Sequence, residues 1–325
     1  MSEPIVSNSH VSVVIAAKDA ADTIGAAILS ALAEPEVCEV IVVDDASVDK
    51  TLAQAQLAAK GDPRVVVLQR AVNSGPAAAR NAGFATATGE FISILDADDV
   101  ILPGRFAALM QDGEWDFLAD NILFVDDTGS ISRQSSASTV PISLSLTDFV
   151  RGNLSNSRRM RGELGFIKPL IKRDFLVKSN LQYDPDMRLG EDYDLYVRAL
   201  LKGARFGLSR NVGYAARVRE NSLSALHRTD DLLALRSACD RHIAACRIGP
   251  AVAAMRKHRH QIHGRYLLRR FLDVKAAHGL RAALFVAIRP LSNLLPISVG
   301  LFRDKCAGLL TRRPVTPVGQ TLIPQ

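Results

Sequence analysis

VCEVIVVDD, residues 37–45, is a nearly continuous apolar run that is rich in β-branched side chains and ends in two aspartates. A run of this kind is typical of a strand that is buried on both faces of a sheet. Similar runs lie on either side of it: VSVVIAA at 11–17, RVVVL at 64–68 and FISIL at 91–95. Helical patterns separate these runs. The resulting β-α-β rhythm predicts an α/β fold with a mostly parallel sheet and helices on both faces.

The composition narrows the class of protein. The formal net charge is +6 and the pI about 9.3, which favours anionic partners such as nucleotides or lipid headgroups. Aromatic residues make up only 6%, which argues against a protein built on base stacking. The start, MSEPIVSNSH, lacks the basic and apolar segments of a secretory leader, and no uninterrupted apolar run of about 20 residues occurs. We therefore expect a cytoplasmic protein whose membrane contacts, if any, are at its surface.

The character of the sequence changes near residue 228. Strands and helices alternate before this point, whereas Ala-, Leu- and Arg-rich helical patterns follow it. Breaks in these later helices are predicted near Gly249-Pro250, Gly279, Pro290 and Pro296. The predicted division is an N-terminal tail at 1–9, an α/β domain at 10–228, a helical C-terminal region at 229–310 and a flexible tail at 311–325.

Acidic residues follow two of the predicted strands, at the edge where parallel sheets bind ligands. Asp44 and Asp45 end one strand, while Asp96, Asp98 and Asp99 end another. At an effective dielectric near 20, two carboxylates about 4 Å apart repel by about 4 kcal/mol, so a divalent cation is a natural partner. Asp96 and Asp98 lie two residues apart and can face one site. Asp45 can accept a hydrogen bond from a base or a ribose. The alternative is that these acids cap helices or form a polar turn.

Two further segments bring charged residues to the same edge. Arg80, in NSGPAAARNAG, lies about one and a half turns into a predicted helix, either over a bound nucleotide or on an exposed face. Gly190-Glu191-Asp192 begins another helix, where the helix dipole favours acids whatever their role. A carboxylate fixed there, facing the strand ends, can take a proton from an attacking hydroxyl.

Five segments carry a recognisable pattern in a fixed order: VSVVIAAKDAADTIGAAILSAL, EVIVVDDASVDKT, NSGPAAARNAG, FISILDADD and GEDYDLYVRAL. Together they resemble the family 2 glycosyltransferases of the GT-A fold over roughly residues 10 to 225. The resemblance implies that the 10–228 domain is a Rossmann-like GT-A catalytic domain. One departure is Ala17-Lys18-Asp19, where relatives often carry Pro-x-Tyr/Phe-Asn, and it leaves the shape of the base pocket open.

The resemblance also implies roles for individual residues. Asp192 would be the catalytic base and Glu191 its partner on the acceptor side, while Asp98 and Asp96 would bind a divalent metal, Mn²⁺ or Mg²⁺. The basic segments 158–161 and 217–224 would meet the donor diphosphate or else form solvated surface. The implied donor-binding residues are Ala17, Asp19, Asp45, Arg80, Asp96 and Arg219.

A narrower resemblance rests on the tract PGRFAALMQDGEWDFLADNILFVDD at 103–127 and on the Ala/Arg-rich C-terminal helices. Both resemble the succinoglycan-type exopolysaccharide glucosyltransferases of rhizobia. This implies transfer of a hexose, with UDP-glucose as donor and an oligosaccharide on a polyprenyl diphosphate as acceptor. The enzyme would be peripheral on the cytoplasmic face of the inner membrane. Its C-terminal helices would either lie on that membrane or pack on the catalytic domain or a second subunit.

Other classes of protein fit the sequence less well. A sugar nucleotidyltransferase would carry a Gly-rich phosphate loop with Arg or Lys after the first strand, and none is present there. A non-enzymatic basic nucleic-acid binder would account for the basic C-terminal helices but not for the aspartates. We therefore predict a UDP-sugar-dependent enzyme, an inverting hexosyltransferase, with no nucleic-acid partner.

Overall fold

A computed structural model describes residues 10–111, 113–126, 140–154, 164–218, 227–309 and 318–323, with only the backbone at 292 and 303–309. Nine strands occur within these residues: β1 Val11–Ala17, β2 Val37–Asp44, β3 Val65–Gln69, β4 Phe91–Asp96, β5 Val100–Ile101, β6 Phe117–Val125, β7 Ile142–Ser143, β8 Leu170–Lys172 and β9 Phe206–Arg217. They form one sheet in the order β3-β2-β1-β4-β8-β6-β9-β5, and β7 pairs with β9.

The register of the central strands places the acidic strand ends side by side. β1 is parallel to both β2 and β4, with Ala17 opposite Asp44 and Ala16 opposite Asp96. β8 is antiparallel to β4 and to β6, while β6 and β9 are parallel to each other. The predicted α/β fold is therefore confirmed, and β1 to β4 are its parallel half. The short strands β5, β7 and β8 were not predicted.

Helices surround this sheet and extend beyond it. The described residues form α1 Ile24–Leu32, α2 Thr51–Ala59, α3 Pro76–Thr86, α4 Arg105–Met110, α5 Leu146–Gly152, α6 Arg173–Lys178, α7 Glu191–Leu201, α8 Thr229–Ala245, α9 Gly249–Ile288 and α10 Leu294–Leu309. α3 packs closely on β1 and β2. A Cβ at Gly83 of α3 would lie 2.2 Å from Cγ1 of Val14, so only glycine permits this approach.

The beginning of the C-terminal helical region packs on the α/β domain. α8 contacts α7, and α9 contacts α5. Cys239, Ala251 and Met255 are buried in the same hydrophobic core as the sheet. The sequence left open whether these helices lie on a membrane or pack on the catalytic domain or a second subunit. α8 and the first half of α9 pack on the α/β domain. No helix in the described part of the chain is long and apolar enough to cross a membrane.

Helix breaks occur at three of the four predicted positions in the C-terminal region. α9 begins at Gly249 with Pro250 in its first turn, Gly279 interrupts it with a φ of 80°, and Pro290 lies between α9 and α10. The break predicted at Pro296 is wrong, because this residue lies in the first turn of α10. A proline there removes an N–H that would have had no partner within the helix.

A segment near the C-terminus completes one edge of the sheet. On one side of β6, β8 pairs with only the first two residues of the strand. Residues 318–323 lie along the remainder of that side. The Gly319 N–H donates to the Phe124 carbonyl at 2.8 Å, and the Leu322 side chain is buried. The sequence predicted a flexible tail at 311–325. Within this range, residues 318–323 satisfy strand groups of β6 that lack another partner, and they bury an apolar side chain.

Candidate active site

The loops after β1 and β2 are bound to each other at the carboxyl edge of the sheet. The Asp19 carboxylate accepts a hydrogen bond from the Val48 N–H at 2.8 Å, and the Asp19 N–H donates to Ser47 Oγ at 3.0 Å. The Asp45 N–H donates to the Ala17 carbonyl at 2.9 Å. Three of the predicted donor-binding residues therefore lie together at this edge: Ala17 at the end of β1, and Asp19 and Asp45 on the loops after β1 and β2.

The Asp45 carboxylate fixes the start of α3. It is buried and accepts hydrogen bonds from the N–H groups of Ser74 and Gly75 at 2.9 and 2.8 Å. Arg70 Nε lies 3.4 Å from the same group. Gly75 has a φ of 87°, a conformation that favours glycine. A carboxylate has about four acceptor positions, so these contacts do not exclude a further hydrogen bond from a nucleobase. The predicted contact between Asp45 and a nucleobase remains a prediction.

Arg80 and Lys168 bridge carboxylates from distant parts of the chain. Arg80 Nη2 lies 2.8 Å from Asp96 Oδ1, and Arg80 Nη1 lies 2.9 Å from Glu191 Oε1 and 3.7 Å from Asp192 Oδ1. Lys168 Nζ lies 3.0 Å from Asp96 Oδ2 and 2.8 Å from Asp192 Oδ2. The predicted catalytic residues Asp192 and Glu191 and one of the two predicted metal ligands, Asp96, thus lie together around Arg80 and Lys168. We call these five residues the carboxylate cluster.

Arg80 lies in the centre of the carboxylate cluster. The sequence left two positions open for it, over a bound nucleotide or on an exposed helix face. The exposed face is wrong because the side chain is buried, and the contact with a nucleotide stays a prediction. Its guanidinium contacts Asp96 and Glu191 and lies 5.5 Å from the ring centroid of Tyr183. Arg80 therefore connects the end of β4 to the first turn of α7.

Two members of the site were not predicted from the sequence. Tyr183 Oη donates to Asp192 Oδ1 at 2.7 Å, and Lys168 Nζ donates to Asp192 Oδ2, so both oxygens of Asp192 are held. Neither residue belongs to a recognisable motif. The one signal in the sequence is that Lys168 lies in the apolar run FIKPLI at 166–171. A lysine in such a run is buried only when it is paired.

A buried ion pair supports the backbone of Lys168. The Arg105 and Asp120 side chains are 0% and 1% exposed and pair at 2.8 Å, with a second bond from Arg105 Nε at 2.9 Å. Arg105 also donates to the carbonyl oxygen of Lys168. Because two parallel bonds fix the plane of the guanidinium, this pair positions Lys168 from α4 and β6.

The charges of the cluster control its protonation. Burial alone would raise the pKa of Asp192, but Lys168 and Arg80 outweigh it and hold this pKa below its usual value. The same two cations lower the pKa of Asp96 against the effect of burial. Burial would lower the pKa of Lys168, but Asp192 and Asp96 raise it above its usual value. All three groups are therefore charged at neutral pH.

The residue before the predicted catalytic pair is glycine for a steric reason. Gly190 has a φ of 71°, and a Cβ there would lie 2.8 Å from Cδ1 of Leu235 in α8. Gly190 thus permits both the left-handed turn and the close approach of α8. Glu191 and Asp192 then occupy the first turn of α7, where the helix dipole favours negative charge.

The remaining carboxylates after β4 have different surroundings. Asp99 is buried and accepts hydrogen bonds from Tyr214 Oη and from the Arg217 N–H, each at 2.8 Å. Burial and the charges of Asp96 and Asp98 raise the pKa of Asp99 to about 8. Because this pKa lies above neutral pH, the Asp99 carboxyl is mostly protonated there. Asp98 is half-buried.

The two predicted metal ligands, Asp96 and Asp98, are carboxylates of the kind that Mn²⁺ and Mg²⁺ prefer. Both oxygens of Asp96 contact a side-chain cation, Arg80 or Lys168. Among the described residues, no three His, Cys, Asp or Glu side chains are grouped to hold a metal. Water and donor oxygens would therefore supply most of the coordination.

Some predicted residues lie outside the described ranges. These are Arg219, the basic segment 158–161 and most of the basic segment 217–224. Arg217 is described, and its backbone contacts Asp99. The predicted contacts of these basic residues with a diphosphate remain predictions.

Comparison with known proteins shows the family to which the chain belongs. Residues 12–170 match the sequence model of Glycosyl transferase family 2. The chain is 45% identical to succinoglycan biosynthesis protein ExoU of Rhizobium meliloti (strain 1021), over 91% of this chain and 88% of that protein. The chain belongs to glycosyltransferase family 2. This glycosyltransferase is also 38% identical to succinoglycan biosynthesis protein ExoO of the same organism, over 69% of this chain and 65% of that protein.

Solved structures share the fold of this glycosyltransferase. S. aureus TarS 1-349 in complex with UDP-GlcNAc has a TM-score of 0.58 and 21% identity, covering 82% of this chain and 74% of its own. Mannosyltransferase PcManGT from Pyrobaculum calidifontis, in complex with GDP-Man and Mn²⁺, has a TM-score of 0.56 and 18% identity, covering 94% and 88%. These likenesses confirm the GT-A fold and nothing finer. The family match decides against the nucleotidyltransferase and the non-enzymatic nucleic-acid binder.

Proposed function

We propose that this glycosyltransferase transfers glucose from UDP-glucose to a lipid-linked oligosaccharide during the synthesis of a succinoglycan-type exopolysaccharide. The pathway is supported by the 45% identity to ExoU over most of both chains. A UDP-sugar donor is consistent with the fold shared with TarS, which was solved with UDP-GlcNAc. The acceptor would be carried on a polyprenyl diphosphate, with the enzyme peripheral on the cytoplasmic face of the inner membrane.

The carboxylate cluster is the observation that carries the proposal. Asp96 ends β4, next to Ala17 at the end of β1 and to the loop residues Asp19 and Asp45, where the donor nucleotide would bind. Asp192 lies in the first turn of α7, 96 residues later in the chain, and Lys168 Nζ contacts both carboxylates. A donor bound at the strand ends would therefore meet Asp192 at its sugar end.

Asp192 would act as the base in a single in-line displacement. Its lowered pKa keeps it ionised at neutral pH, so it is ready to take the proton of the acceptor hydroxyl as that oxygen attacks the anomeric carbon. Lys168 and Tyr183 hold the two oxygens of Asp192 in place. Glu191, bound to Arg80, would face the acceptor. One displacement inverts the anomeric centre, so an α-linked donor gives a β-glycoside.

Asp98 is the proposed metal ligand, with Asp96 beside it. A bound Mn²⁺ or Mg²⁺ would stabilise the negative charge that develops on the departing diphosphate. Arg80 and Lys168 bind Asp96 from the other side and keep it ionised. Arg219 is proposed as a further contact of the diphosphate.

The role of Asp192 is tested by Asp192→Asn, with Asp174→Asn as the matched control. Asp174 is an exposed aspartate in α6, paired only with the exposed Lys178 in the described contacts. We expect Asp192→Asn to lower kcat about 10²–10⁴-fold, the usual contribution of a general base, and to bind UDP with wild-type affinity in calorimetry. The control should retain full activity. Wild-type turnover in Asp192→Asn would remove Asp192 from this role.

The metal and the donor are tested together. Calorimetric titration of the wild type with Mn²⁺ in the presence of UDP should show binding that Asp98→Asn weakens, and EDTA should abolish transfer. Mn²⁺ binding that is unchanged in Asp98→Asn would contradict the proposed ligand. Hydrolysis of UDP-, GDP- and dTDP-sugars by the wild type identifies the donor. Preference for a GDP-sugar would refute UDP-glucose without affecting the role of Asp192.

A further inference from the structure

The distal end of the C-terminal helices is unusual because its large apolar side chains face outward. Leu280, Leu284 and Ile288 lie four residues apart on one face of α9 and are 54%, 47% and 44% exposed. Phe285 and Leu295 are 55% and 73% exposed. Nine of the eighteen exposed large apolar side chains in the described residues fall between 280 and 302, the segment that we call the apolar tip.

Small residues occupy the inner face of the apolar tip. Ala283 and Ala287 are buried, and with Ile297 they pack against Tyr266 and Phe271. A helix that is stabilised only by packing on its own domain places its large apolar residues inward and its polar residues outward. The apolar tip has the reverse arrangement. Monomeric soluble proteins rarely expose an apolar patch of more than a few hundred Å², and larger ones mark interaction surfaces.

The charges of this segment select the partner. From Val274 to Phe302 the sequence contains no Asp or Glu, and its cations are Lys275, Arg281 and Arg289. All three are exposed. The Arg289 guanidinium lies 4.6 Å from the centroid of the exposed Phe285 ring. An anionic membrane fits this combination of outward apolar side chains and cations without acids. Its acyl chains accommodate the apolar side chains, and its headgroups attract the cations.

The two halves of α9 differ in the surroundings of their large apolar side chains. Leu267 and Phe271 are buried against α8 and α10, whereas Leu284 and Phe285 are exposed. The first half of α9 is therefore a packed support, and the second half carries the free apolar surface.

We propose that the apolar tip is a docking surface for an anionic membrane. Its outward leucines and Phe285 insert among the lipids, and Lys275, Arg281 and Arg289 contact the headgroups. The choice of a membrane over other anionic surfaces rests on the proposed lipid-linked acceptor. Binding to vesicles is measured without any sugar transfer, so failure of this inference and failure of the proposed function are separate results.

The test compares two triple variants of the full chain. Leu284→Ser/Phe285→Ser/Leu295→Ser removes the apolar tip, and Leu57→Ser/Val72→Ser/Val177→Ser removes side chains that are as exposed elsewhere. Co-sedimentation uses vesicles of phosphatidylcholine with 30% phosphatidylglycerol, and pure phosphatidylcholine for comparison. We expect the wild type and the control variant to bind the anionic vesicles alike. The tip variant should bind at least tenfold more weakly, and added salt should weaken wild-type binding.

Several outcomes would overturn the proposal. One is equal vesicle binding by the tip variant and the wild type, and another is equal loss in the control variant. A third is that the wild type is a dimer in sedimentation velocity and only the tip variant is a monomer, since the surface would then be occupied by a second copy of the chain. Hydrolysis of the donor should be unchanged in the tip variant, which shows that the catalytic domain remains folded.

Discussion

Replacement of Lys168 by methionine should shift the pH dependence of catalysis. Lys168 Nζ lies 2.8 Å from Asp192 Oδ2, and Arg80 is the more distant cation at 3.7 Å from Asp192 Oδ1. An opposite charge at such distances lowers the pKa of an aspartate by about 1–3 units. Burial raises the pKa of Asp192, and Lys168 is the nearer of the two cations that lower it. Without Lys168 we therefore expect this pKa to rise by roughly 1–2 units, or about 1.4 kcal/mol per unit.

The sign of the effect follows from the charge. Without Lys168 the protonated carboxyl is favoured, so a larger fraction of the base is inactive at any acidic pH. The acidic limb of log kcat/KM should therefore move to higher pH by the same roughly 1–2 units. The assay is release of the nucleoside diphosphate between pH 3 and 8, because the wild-type limb lies below the usual aspartate pKa of 3.8 and the variant's limb lies above it. Lys168→Arg keeps the charge and should move the limb much less.

A surface lysine provides the matched control. Lys178 pairs with Asp174 at 3.2 Å, and the two side chains are 78% and 63% exposed. Lys178→Met should leave the pH profile in place, because exposed pairs contribute about 1 kcal/mol or less. Urea unfolding identifies variants that are simply unfolded. A folded Lys168→Met enzyme with a wild-type acidic limb, or an equal shift in Lys178→Met, would refute the coupling between Lys168 and Asp192.

Three further predictions concern packing and stability. Gly190→Ala should lower kcat more than about tenfold with little loss of helicity by circular dichroism, because the added Cβ would lie 2.8 Å from Leu235 and displace the start of α7. Phe117→Ala should cost about 3–5 kcal/mol in urea unfolding, as expected for a fully buried aromatic residue. Burial and the charge of His242 lower the pKa of His258 to about 4 from 6.5, so the unfolded chain binds more protons between these values. The contribution of His258 to stability should therefore fall by about 3 kcal/mol as the pH drops through this window, and in urea unfolding His258→Gln should lose about that much less stability than the wild type over the same window.

The sequence predicts the parallel half of the sheet because each of its strands is an apolar, β-branched run. The geometry of parallel strands then predicts that the acids at the ends of β2 and β4 lie close together, because the carboxyl ends of these strands meet at one edge of the sheet. Strands of two or three residues, such as β5, β7 and β8, are too short to show a period. They form because longer partners, among them β6 and β9, offer them backbone groups.

The partners of Asp192 are harder to predict for a different reason. Lys168 and Tyr183 lie 24 and 9 residues from Asp192 and reach it through the packing of the whole domain. No local spacing relates these residues. The position of Lys168 depends in turn on the buried pair of Arg105 and Asp120. A motif identifies the carboxylate, but the cations that set its protonation appear only once the chain is folded.

The pairing of residues 318–323 with β6 has a consequence for how the chain is made. Asn121 donates to the Ile323 carbonyl at 2.8 Å and accepts from the Ile323 N–H at 2.9 Å, across 202 positions of sequence. While the ribosome is still adding the helical region, β6 has no neighbour on this side beyond its short pairing with β8. An open strand edge invites pairing with other nascent chains. The sheet of each newly synthesised molecule is therefore protected only after residue 323 has left the exit tunnel.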